Sequence, residues 1–194
     1  MLTTHFIDAD ILTIADVFSA SECLQMIDMA ESAGFRAASV RTRSGPKMMQ
    51  QVRNNDRVNF VDEQVSHLLW SRIAHLLPVL DGRRAVGVDP NLRVYRYQPG
   101  QRFRRHKDGV VANRQGQVSK LSYLVYLNQD FSGGGTQFRD YVGKGDDRVA
   151  LVYDVTPQTG LALLFAHHRW HEGMELTDGC KYVLRTDVFY QEAD

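Results

Sequence analysis

The sequence has few cysteines and no excess of either charge. Cys23 and Cys180 are its two thiols among 194 residues, too few for a disulfide framework or a zinc cluster. One bridge between them stays open, and a reduced compartment is the simpler reading. Lys plus Arg and Asp plus Glu cancel at 23 each, so net charge gives no reason to expect a nucleic-acid or anionic-membrane partner. No window approaches the roughly 18 uninterrupted apolar residues of a membrane span. The N-terminal apolar stretch carries Asp8, Asp10 and Asp16 and lacks the basic flank of a signal peptide. No internal repeat, low-complexity segment or interdomain linker interrupts the chain. The expectation is a cytoplasmic protein forming one domain over residues 1–194.

What is present is a change of period. Residues from Ser21 to Ala33 read as a helix, with capping-box spacing between Ser19 and Glu22, apolar Cys23, Leu24, Ile27 and Ala30 roughly on one face, and Gly34 as a stop. A second helix is expected from about Asp62 to Leu77, where Val65, Leu68, Leu69, Ile73, Leu76 and Leu77 recur at three-and-four spacing before Pro78. Between them the chain is polar, with Ser44-Gly45-Pro46 as a turn and a dense cluster from Arg53 to Arg57. After Pro90 short β-rich runs follow, at residues 92–97, 121–127, 136–139, 148–155, 160–165 and 181–190, separated by turn residues such as Pro99-Gly100 and Gly133-Gly134-Gly135. The expected class is α+β, mainly β: N-terminal helices (1–90) packed on one face of an antiparallel sandwich or barrel (91–190).

The chemistry-bearing pattern is His106-Lys107-Asp108 with His171 far downstream. Two imidazoles and one carboxylate on one face of an octahedral metal leave three positions open, as non-haem Fe(II) oxygenases require; the same donors also accept Mn, Ni or Zn. Residues i and i+2 of a strand point to one side, so His106 and Asp108 can converge while Lys107 points away. A His-x-Asp pair alone is weak and equally describes a surface pair at a strand end. His167 and His168 compete with His171; His168 reads as an outer or structural histidine, and His167 as exposed or packed. On the strand after residue 180, Lys181 and Arg185 share a face and could pair with a buried carboxylate, or be solvated charges. Tyr97 and Tyr126 could donate to the same carboxylate or simply pack.

Four ordered stretches carry a resemblance. Tyr97-Gln98-Pro99-Gly100-Gln101-Arg102-Phe103-Arg104-Arg105-His106-Lys107-Asp108, then Tyr126-Leu127-Asn128 with Gly133-Gly134-Gly135-Thr136-Gln137-Phe138, then Gly160-Leu161-Ala162-Leu163-Leu164-Phe165, and finally His171-Glu172-Gly173 with Gly179-Cys180-Lys181-Tyr182 resemble the motifs of prolyl-4-hydroxylase-like Fe(II)- and 2-oxoglutarate-dependent dioxygenases. The resemblance covers residues from about Asn91 to Tyr190. It implies a double-stranded β-helix (jelly roll) and Fe(II) held by His106, Asp108 and His171. It also implies 2-oxoglutarate gripped by Lys181, with Tyr97 and Tyr126 beside it and Arg185 able to share or take over that role. The implied chemistry is oxidative decarboxylation of 2-oxoglutarate with O2 to succinate and CO2, coupled to hydroxylation of a substrate carbon, with ascorbate as an accessory reductant. The implied substrate is a peptidyl residue, prolyl in the leading case; a free amino acid or small metabolite competes, as does a non-catalytic metal-binding jelly roll. Substrate-side candidates are the Arg53–Arg57 cluster, the loop 109–119, and Arg102, Arg104 and Arg105, which could equally be a solvated face. Trp170 reads first as core packing and second as a pocket wall.

Overall fold

The computed structural model of the chain describes residues 2–42 and 45–192. Strands β1 (Thr4–Asp8) and β2 (Ile11–Ile14) precede helix α1 (Ala20–Ala33). Then come β3 (Arg36–Ala37), β4 (Val40–Thr42), β5 (Gly45–Lys47), β6 (Asp56–Val61), helix α2 (Glu63–Ile73) and β7 (Arg83–Val88). The second half holds β8 (Asn91–Tyr97), β9 (Phe103–His106), β10 (Val118–Tyr126), β11 (Phe131–Gly133), β12 (Thr136–Val142), β13 (Val149–Val155), β14 (Ala162–Ala166), β15 (His171–Gly173), β16 (Leu176–Gly179) and β17 (Lys181–Glu192). The large antiparallel sheet runs β1-β2-β14-β10-β17-β8-β6-β3, with β7 also paired to β17, and the smaller one runs β13-β12-β15-β9. The two sheets form the jelly roll.

Strand alternation divides the large sheet into two faces. Leu121, Tyr123 and Val125 of β10, Leu184 and Val188 of β17, and Leu92 and Val94 of β8 join Met26 and Ala30 of α1 and Leu69 and Ile73 of α2 in one buried cluster. The alternate residues Tyr126, Leu163, Phe165 and Val183 turn the other way, against Phe138 and Val155 of the small sheet. Polar and charged residues interleave on that second face, and there the site lies.

Helix α1 starts as the sequence implies. The Ser19 hydroxyl accepts the Glu22 N–H, and the Glu22 carboxylate accepts the Ser19 N–H at 2.8 Å, which pairs two N–H groups the first turn leaves open. Glu22 also takes Arg72 of α2 at 2.6 and 2.9 Å; that guanidinium holds its carboxyl down at about 2. Helix α2 ends sooner than expected. It tightens to a 3-10 turn at Ala74–Leu76, and Leu77 is extended (φ −81°, ψ 136°), because the residue before a proline is driven out of the helical region.

The region 1–90 is less helical than its pattern suggests. β1 and β2 precede α1 and extend the large sheet, and β6 and β7 flank α2. Ile11 and Leu12 point into different clusters, so a strand buried on both faces shows no alternation. The expected turn at Ser44-Gly45-Pro46 falls partly outside the described residues, at Ser44; Gly45 and Pro46 lie in β5. Cys23 and Cys180 are both free thiols, and no helix among the described residues is long and apolar enough to cross a membrane.

Gly160 ties the N-terminal segment to this frame. Its carbonyl accepts the Val17 N–H at 3.0 Å and its N–H reaches the Tyr126 carbonyl at 2.8 Å. It has φ +81°, and an added Cβ would lie 2.0 Å from the Phe18 carbonyl oxygen. Gly160→Ala is therefore expected to destabilise by more than about 1 kcal/mol, read as a lower urea midpoint at unchanged slope.

Candidate functional site

The small sheet brings the two histidines together. β9 and β15 pair antiparallel with His106 directly opposite His171, and the ring centres are 4.2 Å apart. Asp108 lies beyond the end of β9, so strand alternation does not place it, contrary to the expected geometry. Its N–H bonds the His167 carbonyl at 3.2 Å, and this loop contact turns the carboxylate back toward the rings. His106 Nε2 is 3.6 Å from Asp108 Oδ1 and His171 Nε2 is 3.7 Å from Oδ2; the three donors lie within 4.8 Å of one another.

Both rings have a defined tautomer. His106 Nδ1 sits 2.8 Å from the Arg104 carbonyl and His171 Nδ1 3.0 Å from the Arg169 carbonyl. A carbonyl only accepts, so each Nδ1 carries the proton and each Nε2 presents its lone pair to the common point. Burial pushes His171 down to about 4. Burial alone would raise Asp108, but the Arg185 guanidinium beside it outweighs that and holds the carboxyl well below the usual range. Asp108 and His171 are thus deprotonated at neutral pH, the state that metal binding requires.

Behind Asp108 is a polar chain that residue spacing does not reveal. Val111 N–H donates to Ser119 Oγ at 2.9 Å, and Ser119 Oγ lies 2.8 Å from His167 Nε2. His167 Nδ1 lies 3.0 Å from Ser122 Oγ, and Ser122 donates to Asp108 Oδ2 at 2.5 Å. Since the Ser122 proton goes to Asp108, His167 donates through Nδ1 and accepts from Ser119 through Nε2. His167, not His168, is thus the outer histidine; His168 has a 71% exposed side chain, 3.3 Å from Asp10. Trp170 is 40% exposed, against both expected roles, with Arg105 and Lys107 over its ring. The one available signal was Ser122, a polar residue in the apolar run of β10.

The triad opens into a cavity of about 830 Å³. On β17, Lys181, Val183 and Arg185 all face it, as their spacing implies. Lys181 is 3% exposed. Its ammonium lies 5.3 Å from the ring centres of both Tyr97 and Tyr126 and donates to the Gly134 carbonyl. Among the described residues no carboxylate meets it, and burial lowers it to about 7. Gly134 makes this approach possible, since a Cβ there would sit 2.9 Å from Leu176 and 3.2 Å from the Lys181 stem. Tyr126 gives its hydroxyl to Thr136 at 2.7 Å, and burial raises Tyr97 to about 12, which keeps it a neutral donor. Arg185 is engaged, 3.2 Å from Asp108 Oδ2 and 3.2 Å from Asp187 Oδ1.

The remaining candidates divide. Arg53 and Arg57 line the cavity, as do Gly109 and Val111 of the long loop. Arg104 and Arg105 are exposed, and Arg102 pairs with Glu175 at the surface at 2.8 Å, so that basic run is a solvated face.

The sequence profile of the 2OG-Fe(II) oxygenase superfamily matches residues 92–186. A comparison with curated protein sequences finds no match. Among solved structures, a viral collagen prolyl hydroxylase from Paramecium Bursaria Chlorella virus-1, bound to 2OG, is similar with TM-score 0.63 and 19% identity over 92% of this chain and 95% of that one. A Trichoplax adhaerens prolyl hydroxylase in complex with a hypoxia inducible factor oxygen degradation domain peptide fragment gives TM-score 0.68 and 19% identity, covering 93% and 83%. A Pseudomonas putida prolyl-4-hydroxylase gives 0.61 and 16%, covering 95% and 94%. At these identities the likeness is one of fold.

Proposed function

We propose that this chain, which belongs to the 2OG-Fe(II) oxygenase superfamily, hydroxylates a substrate carbon with Fe(II) held by His106, Asp108 and His171 and 2-oxoglutarate anchored by Lys181. The observation that carries the reading is the pairing of two features in one cavity. Two Nε2 lone pairs and a carboxylate share one point, and a buried ammonium that no carboxylate meets among the described residues stands in the same cavity. A buried cation with no counter-ion is costly to the fold; it fits an anion that arrives from outside.

With iron, 2-oxoglutarate and O2 bound, the centre supplies oxidative decarboxylation to succinate and CO2 and places one oxygen atom in a substrate C–H bond. The chain's own residues bind and orient. His106 and His171 present unprotonated Nε2 atoms because two backbone carbonyls hold their Nδ1 protons. Ser122 and Arg185 fix the Asp108 carboxylate. Lys181, with Tyr97 and Tyr126 beside it, takes the distal carboxylate of the diacid. Arg185 already balances Asp108 and Asp187, which favours Lys181 as the anchor.

A peptidyl residue, prolyl in the leading case, is the substrate supported by the fold shared with three prolyl hydroxylases, one of them bound to a peptide fragment. A small carboxylic metabolite is the second reading, favoured by arginines in the cavity wall. The test is succinate formation from 2-oxoglutarate with Fe(II) and ascorbate, followed by mass spectrometry of candidate peptides and metabolites for one added oxygen. Absence of both 2-oxoglutarate binding and succinate would leave a non-catalytic metal-binding module.

A further inference from the structure

The cavity wall carries Arg53, Arg57, Arg93, Lys107, Lys181 and Arg185 against the single carboxylate of Asp108. A divalent metal and a 2-oxoglutarate dianion cancel each other, so loading the site leaves this surplus in place. Asp187, behind the wall, accounts for Arg93 at 3.4 Å and shares Arg185. Lys107 reaches toward solvent over Trp170. Arg53 and Arg57 are left without a carboxylate in ion-pair range among the described residues.

Arg53 is held as a fixed group. It is 4% exposed, its Nε donates to buried Asn55 at 2.7 Å, and its guanidinium lies between the rings of Tyr95 and Phe103, at 4.2 and 4.3 Å from their centres. Phe103 in turn stacks on His106 with centroids 3.5 Å apart, so one ring separates this cation from a candidate metal ligand. Stacking explains where the guanidinium lies, but it does not pair its edge. Arg53 Nη2 is buried with no hydrogen-bond partner among the described residues, an omission that is costly unless a ligand fills it. Arg57 compounds the cost: burial, together with the like charges of Arg53 and Arg93, lowers its pKa.

Arg57 stands apart from the co-substrate anchor, whereas Arg53 adjoins Tyr97, whose ring also borders Lys181. Lys181 of β17 faces Tyr97 of β8, whereas Arg57 of β6 faces Tyr95. Arg57 is therefore two strands from Lys181, about 10 Å sideways, and two residues further along. A five-carbon diacid held at Lys181 with its 2-oxo end at the metal does not also fill that corner. Tyr95 reports the local field: burial raises its phenol, yet Arg53, Arg185 and Arg93 bring it down to about 8.

We infer that the cavity takes a substrate bearing a carboxylate, gripped by Arg53 and Arg57 rather than by Lys181. This rests on the reading of Lys181 as the 2-oxoglutarate anchor. The carboxylate belongs either to a free amino acid or to an acidic residue of a peptide, and the grip sets which carbon faces the metal.

The experiment uses the full chain loaded with Mn(II) and 2-oxoglutarate, whose binding is measured first by calorimetry. Failure at that step overturns the co-substrate reading itself. The loaded protein is then titrated with each standard amino acid and its C-terminal carboxamide, and with doubly blocked aspartate and glutamate against blocked asparagine and glutamine. We expect at least one acid to bind about tenfold or more tighter than its amide, a difference of about 1.4 kcal/mol; the arm in which it appears identifies the source of the carboxylate. Arg53→Gln with Arg57→Gln should erase the preference while 2-oxoglutarate still binds. If the double variant does not fold, Arg57→Gln alone, at a half-buried position, should weaken the preferred acid several-fold. No preference for any acid over its amide, or a preference that survives the substitutions, overturns the inference.

Discussion

His171→Ala is expected to abolish tight metal binding and, with it, 2-oxoglutarate-dependent succinate formation, while the fold persists. His171 belongs to a short strand whose ring contacts Phe165 and Phe138 at 4.5 and 5.9 Å between centres, so alanine leaves a modest void but no stranded charge: burial keeps this imidazole neutral. The metal point, however, loses one of its three donors. Removing an outer hydrogen-bond partner of a ligand already costs about 10–100-fold in affinity or activity, and deleting the ligand itself should exceed that. Calorimetric titration with Mn(II) beside a succinate assay gives the answer, and His106→Ala and Asp108→Ala should behave alike at the metal. Asp108→Ala should also destabilise, since it strips Arg185 of one of its two carboxylates. Full activity in His171→Ala, with a circular dichroism spectrum like that of the wild type, would place the metal elsewhere.

Much of this site could be read from residue order, because its parts are local. The His-x-Asp pair, the later histidine and the lysine ten residues beyond it each sit in a short motif, and antiparallel pairing of β9 with β15 brings those motifs together. What escaped the sequence did so for physical reasons. Asp108 is aimed by a backbone bond to His167 across the molecule, and no local rule encodes such a contact. His167 and Ser122 look like one more histidine and one more strand serine until the fold sets them 3.0 Å apart. β6 was hidden because its alternation is short, with only Val58 and Phe60 turned to the core between polar Arg57 and Asn59. The basic run at Arg102, Arg104 and Arg105 adjoins His106 in sequence and left two readings open; it faces solvent, as the solvated-face reading has it.

Lys181→Met should separate affinity from stability. The ammonium is buried with no carboxylate partner among the described residues, so the apolar isostere relieves a desolvation cost and should leave the metal-free protein at least as stable. Binding of 2-oxoglutarate should fall by about 10²- to 10³-fold, the equivalent of about 3–4 kcal/mol for a buried carboxylate deprived of its cation. If Arg185→Ala weakens the co-substrate more than Lys181→Met does, the anchor is Arg185. The pH dependence supplies an independent reading. Burial lowers Lys181 from 10.5 to about 7 in the folded protein, so between those values the unfolded chain holds a proton that the folded one lacks. Stability without co-substrate should therefore rise with pH through that window, and the contribution should disappear as pH falls through about 7. A bound dianion restores the charge, so at pH 8 the wild-type protein should take up close to one proton per 2-oxoglutarate. Calorimetry in buffers of differing ionisation enthalpy measures that proton. Its absence in the wild type, or its persistence in Lys181→Met, would mean that the co-substrate carboxylate does not meet this lysine.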